Sequence, residues 1–153
     1  MREKKIRTKI KNMKSSEILI QKIKEFEGLR LKSYKDSAGV WTIGYGHTRG
    51  VKSCQIITEK QAESLLRGDL LSSEEFVNNL GLSFSQGQFD ALVDFVYNLG
   101  TGSLGRSTLL KKICAKAPTS EIQNEFKRWV YAGGKKLPGL VKRRAWEAQR
   151  WVE

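Results

Sequence analysis

Apolar residues recur at helical spacing in several stretches of this chain, and polar residues mark the ends of each stretch. The first stretch begins after Ser15 or Ser16 and stops at Gly28. Serine is a typical N-cap and glycine a typical C-terminal residue of a helix. The pattern therefore predicts a first helix that ends near Glu27. Its apolar positions are Leu19, Ile20, Ile23 and Phe26.

Two later stretches open with capping boxes, in which a Ser or Thr is followed three residues later by Gln. Thr58 with Gln61 and Ser85 with Gln88 both fit this pattern. The first box precedes an apolar series that keeps helical spacing for about six turns, and the second precedes a helix that stops at Gly100. The two series are Ala62, Leu65, Leu66, Leu70, Phe76, Val77 and Leu80, and then Phe89, Leu92, Val93 and Val96.

The rest of the chain predicts shorter helices and one hairpin. A short helix carries Leu109, Leu110 and Ile113, and another opens near Thr119 or Ser120 and carries Ile122, Phe126, Trp129 and Val130. A loop over residues 133–139 precedes a last helix with Leu140, Ala145, Ala148 and Val152. Residues 40–45 alternate in polarity as a strand does, so the fold class is α+β and mainly α.

The predicted strand follows the turn formed by residues 36–39, whose sequence is Asp-Ser-Ala-Gly. Val40, Thr42 and Gly44 lie on one face of the strand, and its alternate residues lie on the other. We therefore expect Asp36 and Thr42 to meet across a hairpin.

Composition and charge divide the chain in two. The chain has 153 residues, of which 39% are hydrophobic, and a net charge of +12. Seven Lys or Arg and one Glu give residues 1–14 half of that charge. This basic arm is either a disordered, solvated tail or an extension of the first helix, with Ile6, Ile10 and Met13 as an apolar stripe on an anionic membrane. Either form attracts an anionic wall or membrane surface.

Several classes of protein do not fit the sequence. It shows no motif for specific nucleic-acid binding, and a single histidine, His47, offers no metal-ligand spacing. We expect no metal and no cofactor. Cys54 and Cys114 are expected to be free thiols, although one long-range bridge stays open. Since no apolar stretch approaches about 20 residues and no signal segment opens the chain, we expect it to be made and kept in the cytosol.

Two carboxylates near the first turn suit the hydrolysis of a sugar bond, which needs one protonated acid and one carboxylate. Glu27, at the negative end of a helix and close to Ile23 and Phe26, is placed where the protonated form is favoured. Asp36 lies in a turn with exposed amides and should stay ionised. The Thr42 hydroxyl beside Asp36 would hold a water in line for attack, which favours an inverting reaction.

The spacing of Glu27, Asp36 and Thr42, followed by Ile-Gly-Tyr-Gly-His at residues 43–47, resembles the phage-type lysozymes, the endolysins of glycoside hydrolase family 24. Residues 95–100, 107–110, 129–134 and 139–144 also resemble endolysin segments. The resemblance implies hydrolysis of the β-1,4 bond between N-acetylmuramic acid and N-acetylglucosamine in peptidoglycan, with these three residues as the catalytic set.

The same resemblance implies a lysozyme-like architecture with a cleft between two lobes. The catalytic domain would span residues 15–153, with an N-terminal lobe over about 15–57, a connecting helix over 58–80 and a C-terminal lobe over 81–153, and residues 1–14 would be the separate basic arm. A family member of this kind is expected to be a monomer. It would leave the bacterial host's cytoplasm through a membrane permeabilised by a holin and so reach the periplasm or cell wall.

Other candidate residues are less sharply defined. In the family, the residue at His47 pairs with an acid on the long helix, for which Asp69 is the match, and we expect this pair to give structural support. Arg143 and Arg144 either bind the carboxylates of peptide stems or lie on a solvated helix face. Candidates for binding sugar are Tyr45, Tyr97, Asn98 and Trp129. The alternative function is a non-catalytic peptidoglycan-binding module with the same fold.

Overall fold

The computed structural model describes residues 12–153. Helix α1 spans Glu17–Glu27 and begins at Ser16, whose hydroxyl accepts a hydrogen bond from the Leu19 amide. It ends at Gly28, which has a φ of 73° that favours glycine. The predicted first helix is thus confirmed, but it does not continue back into residues 12–15. The remainder of the basic arm, with Ile6 and Ile10, lies outside the described residues.

A two-stranded antiparallel sheet follows α1, with β1 at Arg30–Lys35 and β2 at Trp41–Gly44. Thr42 pairs with Tyr34. The strand predicted over residues 40–45 is one residue too long at each end. Val40 closes the turn by accepting a hydrogen bond from the Asp36 amide, and the chain after Gly44 turns back so that Ile43 and His47 pair.

Helices α2, Glu59–Asn78, and α3, Gln86–Leu99, both begin at the predicted capping boxes. In each box the hydroxyl of Thr58 or Ser85 accepts from a backbone amide, and the Gln side chain returns to the amide of the cap residue. These reciprocal bonds fix where the helices start. Helix α3 stops at Gly100, as the sequence predicts.

The remaining elements are α4 at Thr101–Gly105, α5 at Thr108–Cys114, α6 at Thr119–Phe126, β3 at Tyr131–Ala132, β4 at Lys135–Lys136 and α7 at Pro138–Trp151. Two predictions here are wrong. Trp129 and Val130 follow α6 instead of belonging to it, and a small hairpin of β3 and β4 occupies the predicted loop. Helix α4, which contains two glycines, was not predicted.

Helix α3 forms the centre of the fold, because it packs against α1, α2 and α7. Its apolar residues from Phe89 to Val96 are almost completely buried. The α+β, mainly helical class is therefore confirmed. Cys54 and Cys114 are both free and exposed. None of the helices between residues 12 and 153 is long and apolar enough to cross a membrane.

Candidate active site

Glu27, the last residue of α1, is held by an arginine from the far end of the chain. Arg143 Nη1 on α7 donates to Glu27 Oε2 over 2.8 Å. The guanidinium also lies over the Phe26 ring, 4.8 Å from its centroid. A quarter of the Glu27 side chain remains exposed, whereas Arg143 is buried. The helix end predicted for this acid is correct, but the guanidinium beside it was not foreseen.

The other side of Arg143 is occupied by Asp94 on α3. Nη2 donates to Asp94 Oδ1 over 2.8 Å, and Nε lies 3.0 Å from Oδ2. Arg144 points elsewhere and donates through Nη2 to Asn98 Oδ1 and Glu147 Oε2, both over 2.8 Å. The prediction that the two arginines face peptide stems or solvent is therefore wrong, since helix packing buries both of them.

Two fully buried carboxyl groups in this network have shifted pKa values of opposite sign. Burial raises the pKa of Asp94, but its hydrogen bond with Glu147 and the charge of Arg143 outweigh burial, so the net pKa lies below its ordinary value. Burial, the same hydrogen bond and the charge of Asp94 raise the pKa of Glu147 well above its ordinary value. The two pKa values are therefore displaced in opposite directions, upward for Glu147 and downward for Asp94.

Glu27 opens onto a polar cleft of about 390 Å³ that both lobes and the connecting helix α2 line. Its lining residues are Glu27, Gly46, Thr48, Arg49, Asp69, Tyr97 and Asn98. A larger hollow of about 520 Å³ near Trp151 contains none of the predicted site residues. The cleft beside Glu27 is therefore the candidate site.

Gly46 lets the backbone of the N-terminal lobe approach the acid. A Cβ atom built at this position would lie 3.0 Å from Glu27 Oε1. The φ of 87° also lies in the region that side chains other than glycine rarely adopt. The glycine thus serves both the turn and the close contact with Glu27.

Of the predicted sugar-binding residues, Tyr97 and Asn98 line the cleft and Tyr45 does not. Tyr45 is 5% exposed and packs in the hydrophobic core, so the prediction that its ring binds sugar is wrong. Its carbonyl oxygen instead accepts a long hydrogen bond, 3.5 Å, from the Tyr97 hydroxyl. Burial raises the pKa of Tyr97, and the charges of Glu27 and Asp69 add to this, so its hydroxyl keeps its proton.

His47 contacts Asp69, as the resemblance implies. Its Nδ1 lies 2.8 Å from Asp69 Oδ2, and its Nε2 lies 2.9 Å from the carbonyl oxygen of Arg49. The Asp69 carboxyl group and the Arg49 carbonyl thus hold the ring from its two nitrogen atoms. The supporting role of the pair stays a prediction.

No hydrogen bond joins Asp36 to Thr42, but both side chains bond to the backbone of Val40. Asp36 Oδ1 accepts from the amides of Ala38 and Val40, both over 2.9 Å, and the Thr42 hydroxyl donates to the Val40 carbonyl over 2.9 Å. Among the residues that the structure describes, none donates to Asp36 Oδ2. These two residues are not part of the lining of the cleft beside Glu27.

The sequence reasoning gave Arg143 a different role and missed Asp94 and Glu147 as parts of the site. A usable signal was present, since Asp90 and Asp94 recur at helical spacing on α3 inside an apolar series. Arg143, Glu147 and Arg150 recur in the same way on α7. Opposite charges on the inward faces of two helices indicate that the helices pack together, and Arg150 does bind Asp90.

Comparisons with known proteins show what the chain is similar to. The family model for phage lysozyme matches residues 24–147. The chain is 46% identical over 139 residues to an endolysin of Bacillus phage PZA. This match covers 88% of this chain and 54% of the relative. It is 42% identical over 127 residues to an endolysin of Acyrthosiphon pisum secondary endosymbiont phage 1, and this match covers 80% of this chain and 86% of the relative. The chain thus spans about half the length of the Bacillus phage relatives that it matches.

Two solved structures share the fold over nearly the whole chain. The muramidase domain of SpmX from Asticaccaulis excentricus has a TM-score of 0.83 at 36% identity and covers 96% of this chain and 99% of that one. An endolysin from the Escherichia coli phage FAHEc1 has a TM-score of 0.81 at 34% identity and covers 95% and 97%.

Proposed function

Because this chain belongs to the phage lysozyme family, we propose that it hydrolyses the β-1,4 bond between N-acetylmuramic acid and N-acetylglucosamine in bacterial peptidoglycan. The observation that carries the proposal is the position of Glu27. Its carboxyl group is fixed by Arg143 at the wall of an open polar cleft, and a quarter of the side chain is exposed to whatever enters.

Glu27 acts in this proposal as the general acid. It transfers its proton to the oxygen that leaves when the glycosidic bond breaks. Arg143 fixes the carboxyl through Oε2, while the Gly46 side of the cleft lies next to Oε1. Since the guanidinium also binds Asp94, its positive charge is divided between two carboxyl groups. Arg143 thus positions the Glu27 carboxyl group, while only part of its positive charge acts on that group.

Asp36 and Thr42 hold the attacking water. The Thr42 hydroxyl hydrogen is committed to the Val40 carbonyl, so its oxygen is left as an acceptor. Asp36 Oδ2 is likewise an acceptor. A water that donates one hydrogen to each directs a lone pair at the sugar carbon, and Asp36 takes up its proton as the new bond forms. Attack from the side opposite Glu27 inverts the anomeric carbon, which NMR of the first product tests directly.

Tyr97 and Asn98 are the residues that we assign to sugar binding. Both lie in the cleft lining next to Glu27. Tyr97 presents an aromatic ring with a neutral hydroxyl, and Asn98 presents an amide whose oxygen is already bound to Arg144. The amide nitrogen of Asn98 therefore remains as a donor for a sugar oxygen.

The decisive experiment measures new reducing ends released from purified peptidoglycan by the wild type and by Glu27→Gln, with binding measured in parallel. We expect release to fall at least about 10³-fold in the variant while binding persists. Glu25→Gln is the matched control, because Glu25 lies on the same helix and is exposed to solvent. Binding without release by the wild type would support the non-catalytic module instead.

The water-holding pair is tested by Asp36→Asn and Thr42→Val. Asparagine keeps an oxygen for the turn amides but is not a base, so we expect a loss in kcat of about 10²–10⁴-fold. Valine keeps the shape of threonine without its hydroxyl, and a lost hydrogen bond of about 1–2 kcal/mol corresponds to about tenfold. Full activity in both variants would remove Asp36 and Thr42 from the mechanism.

We further propose that the enzyme works as a monomer on the wall of the bacterial host, after a partner holin has permeabilised the membrane. The basic arm, residues 1–14, would add attraction to an anionic wall or membrane surface. Deleting residues 1–11, which precede the hydrogen bonds of Met13 with Asn78, should leave the release of reducing ends unchanged and weaken sedimentation with anionic vesicles or cell walls. Unchanged sedimentation would exclude the arm as a binding segment.

A further inference from the structure

The network behind Glu27 contains more negative than positive groups. Three carboxyl groups, of Glu27, Asp94 and Glu147, face two guanidinium groups, of Arg143 and Arg144. If every group were ionised, the network would carry a net charge of −1. Asp94, Glu147 and Arg144 are fully buried, and an uncompensated charge in such a place is strongly unfavourable. A single proton on one of the carboxyl groups makes the network neutral.

Hydrogen bonding indicates which carboxyl group holds that proton. Both oxygens of Asp94 accept hydrogen bonds from Arg143, as an ionised carboxylate does. Glu27 accepts from Arg143 and is also open to solvent. Glu147 differs, because its Oε2 accepts from Arg144 whereas its buried Oε1 has no donor among the described residues. A proton on Glu147 Oε1 would explain this arrangement. The oxygen would then be a hydrogen-bond donor and would need no donor of its own.

Asp94 is the acceptor for that proton. The interaction between the Asp94 and Glu147 side chains lowers the pKa of Asp94 and raises that of Glu147, as a proton shared between the two would. Two carboxylates cannot bond in this way, but a carboxylic acid and a carboxylate can. The charged groups that face the pair are Arg143 and Arg144 from α7, with Glu27 from α1 beyond Arg143.

We propose that Glu147 and Asp94 share one proton, carried by Glu147, and that this pair is a positioning device which lets Arg143 divide its charge between Asp94 and Glu27. The inference deepens the proposed function and rests on Glu27 being its acid. Asp94 and Glu147 do not touch the substrate cleft and act only through Arg143. With Asp94 ionised, Arg143 fixes Glu27 in place, and the proton that a general acid must carry is a second one, which Glu27 takes up at the solvent-exposed edge of the network.

Carbon-13 NMR of the full chain tests the shared proton without reference to activity. The Glu147 carboxyl resonance, assigned by its loss in Glu147→Gln, should stay at the position of a protonated acid between pH 5 and pH 8. The Asp94 resonance should stay at the position of a carboxylate. A Glu147 resonance at the ionised position in that range would overturn the proposal, whether or not the chain cleaves peptidoglycan.

The rate of reducing-end release as a function of pH tests the positioning role. In Asp94→Asn, the whole charge of Arg143 faces Glu27 and favours its ionised form, so the basic limb of the kcat profile should move to lower pH. We expect activity at pH 7 to fall about tenfold or more, with KM little changed. An amide at position 147 still donates to Asp94, so Glu147→Gln should keep the wild-type profile.

Asp90→Asn is the matched control for Asp94→Asn. Asp90 lies one turn earlier on α3, is equally buried and also binds an arginine, Arg150, but makes no contact with Glu27. This variant should lose stability and keep the pH profile. A profile that is the same in Asp94→Asn and the wild type would overturn the positioning role. A wild type without any activity would refute the proposed function and leave the NMR result standing.

Discussion

Replacing Glu147 by glutamine is predicted to stabilise the protein at neutral pH, although the residue is fully buried and hydrogen-bonded. Burial and Asp94 raise the pKa of Glu147 well above its ordinary value. With the shared proton proposed above, the folded chain holds a proton that the unfolded chain has released at pH 7. Glutamine presents the same hydrogen-bond donor to Asp94 and the same acceptor to Arg144, and it needs no proton to fold.

The size and sign of the effect follow from proton linkage. An unfolded glutamate titrates near pH 4.3, so binding one proton at pH 7 costs up to about 4 kcal/mol. The native state binds more protons than the unfolded state, so wild-type stability falls as pH rises above about 4.3. Glutamine removes this dependence of stability on pH. Its second N–H, if left unpaired, lowers the unfolding free energy by about 1–3 kcal/mol at every pH.

The assay is urea unfolding of the wild type and Glu147→Gln at several values between pH 4 and pH 8. We expect the difference in unfolding free energy to shift by about 3 kcal/mol in favour of glutamine between pH 4 and pH 7. Asp94, whose pKa is lowered, gives the opposite slope, but only below about pH 4. Glu75→Gln, an exposed site on α2, should show no such shift. Parallel curves for the wild type and Glu147→Gln would refute the reasoning.

Two further variants test the cleft. Gly46→Ala should lower kcat about tenfold, because the new Cβ would lie 3.0 Å from Glu27 Oε1. Gly50 has a similar positive φ but open space around it, so Gly50→Ala should lower stability only. Equal rates in the two glycine variants would contradict this account. Asp69→Asn should lower the unfolding free energy by about 1.5–3 kcal/mol, since it removes the charged partner of His47 Nδ1, and an unchanged urea midpoint would exclude a supporting role.

The sequence predicted best those features that are encoded by a few neighbouring residues. Capping boxes at Thr58 and Ser85 and the serine cap at residue 16 each fix a helix start through local hydrogen bonds, and all three are present. Gly28 and Gly100 likewise end helices where predicted. Such signals act within about one turn of a helix, so a single sequence is enough to read them.

The environment of the site depends on contacts between distant residues, and here the sequence was a poorer guide. Arg143 and Glu27 are 116 positions apart, and no local pattern connects them. Tyr45 is an aromatic residue in a family motif, which suggested sugar binding, but packing against the core decides its role. The β3–β4 hairpin has only two residues in each strand, which is too short for alternation to be detected.

The distance along the chain between Glu27 and Arg143 also bears on synthesis by the ribosome. The acid emerges early, whereas the arginine that fixes it is translated more than a hundred residues later and is held in place only once α7 has docked against α3. A nascent chain that stops short of α7 therefore has the acid without its arginine. Under the proposed function, the site would thus be completed only late in translation, and chains truncated before α7 would lack the arginine that fixes the acid.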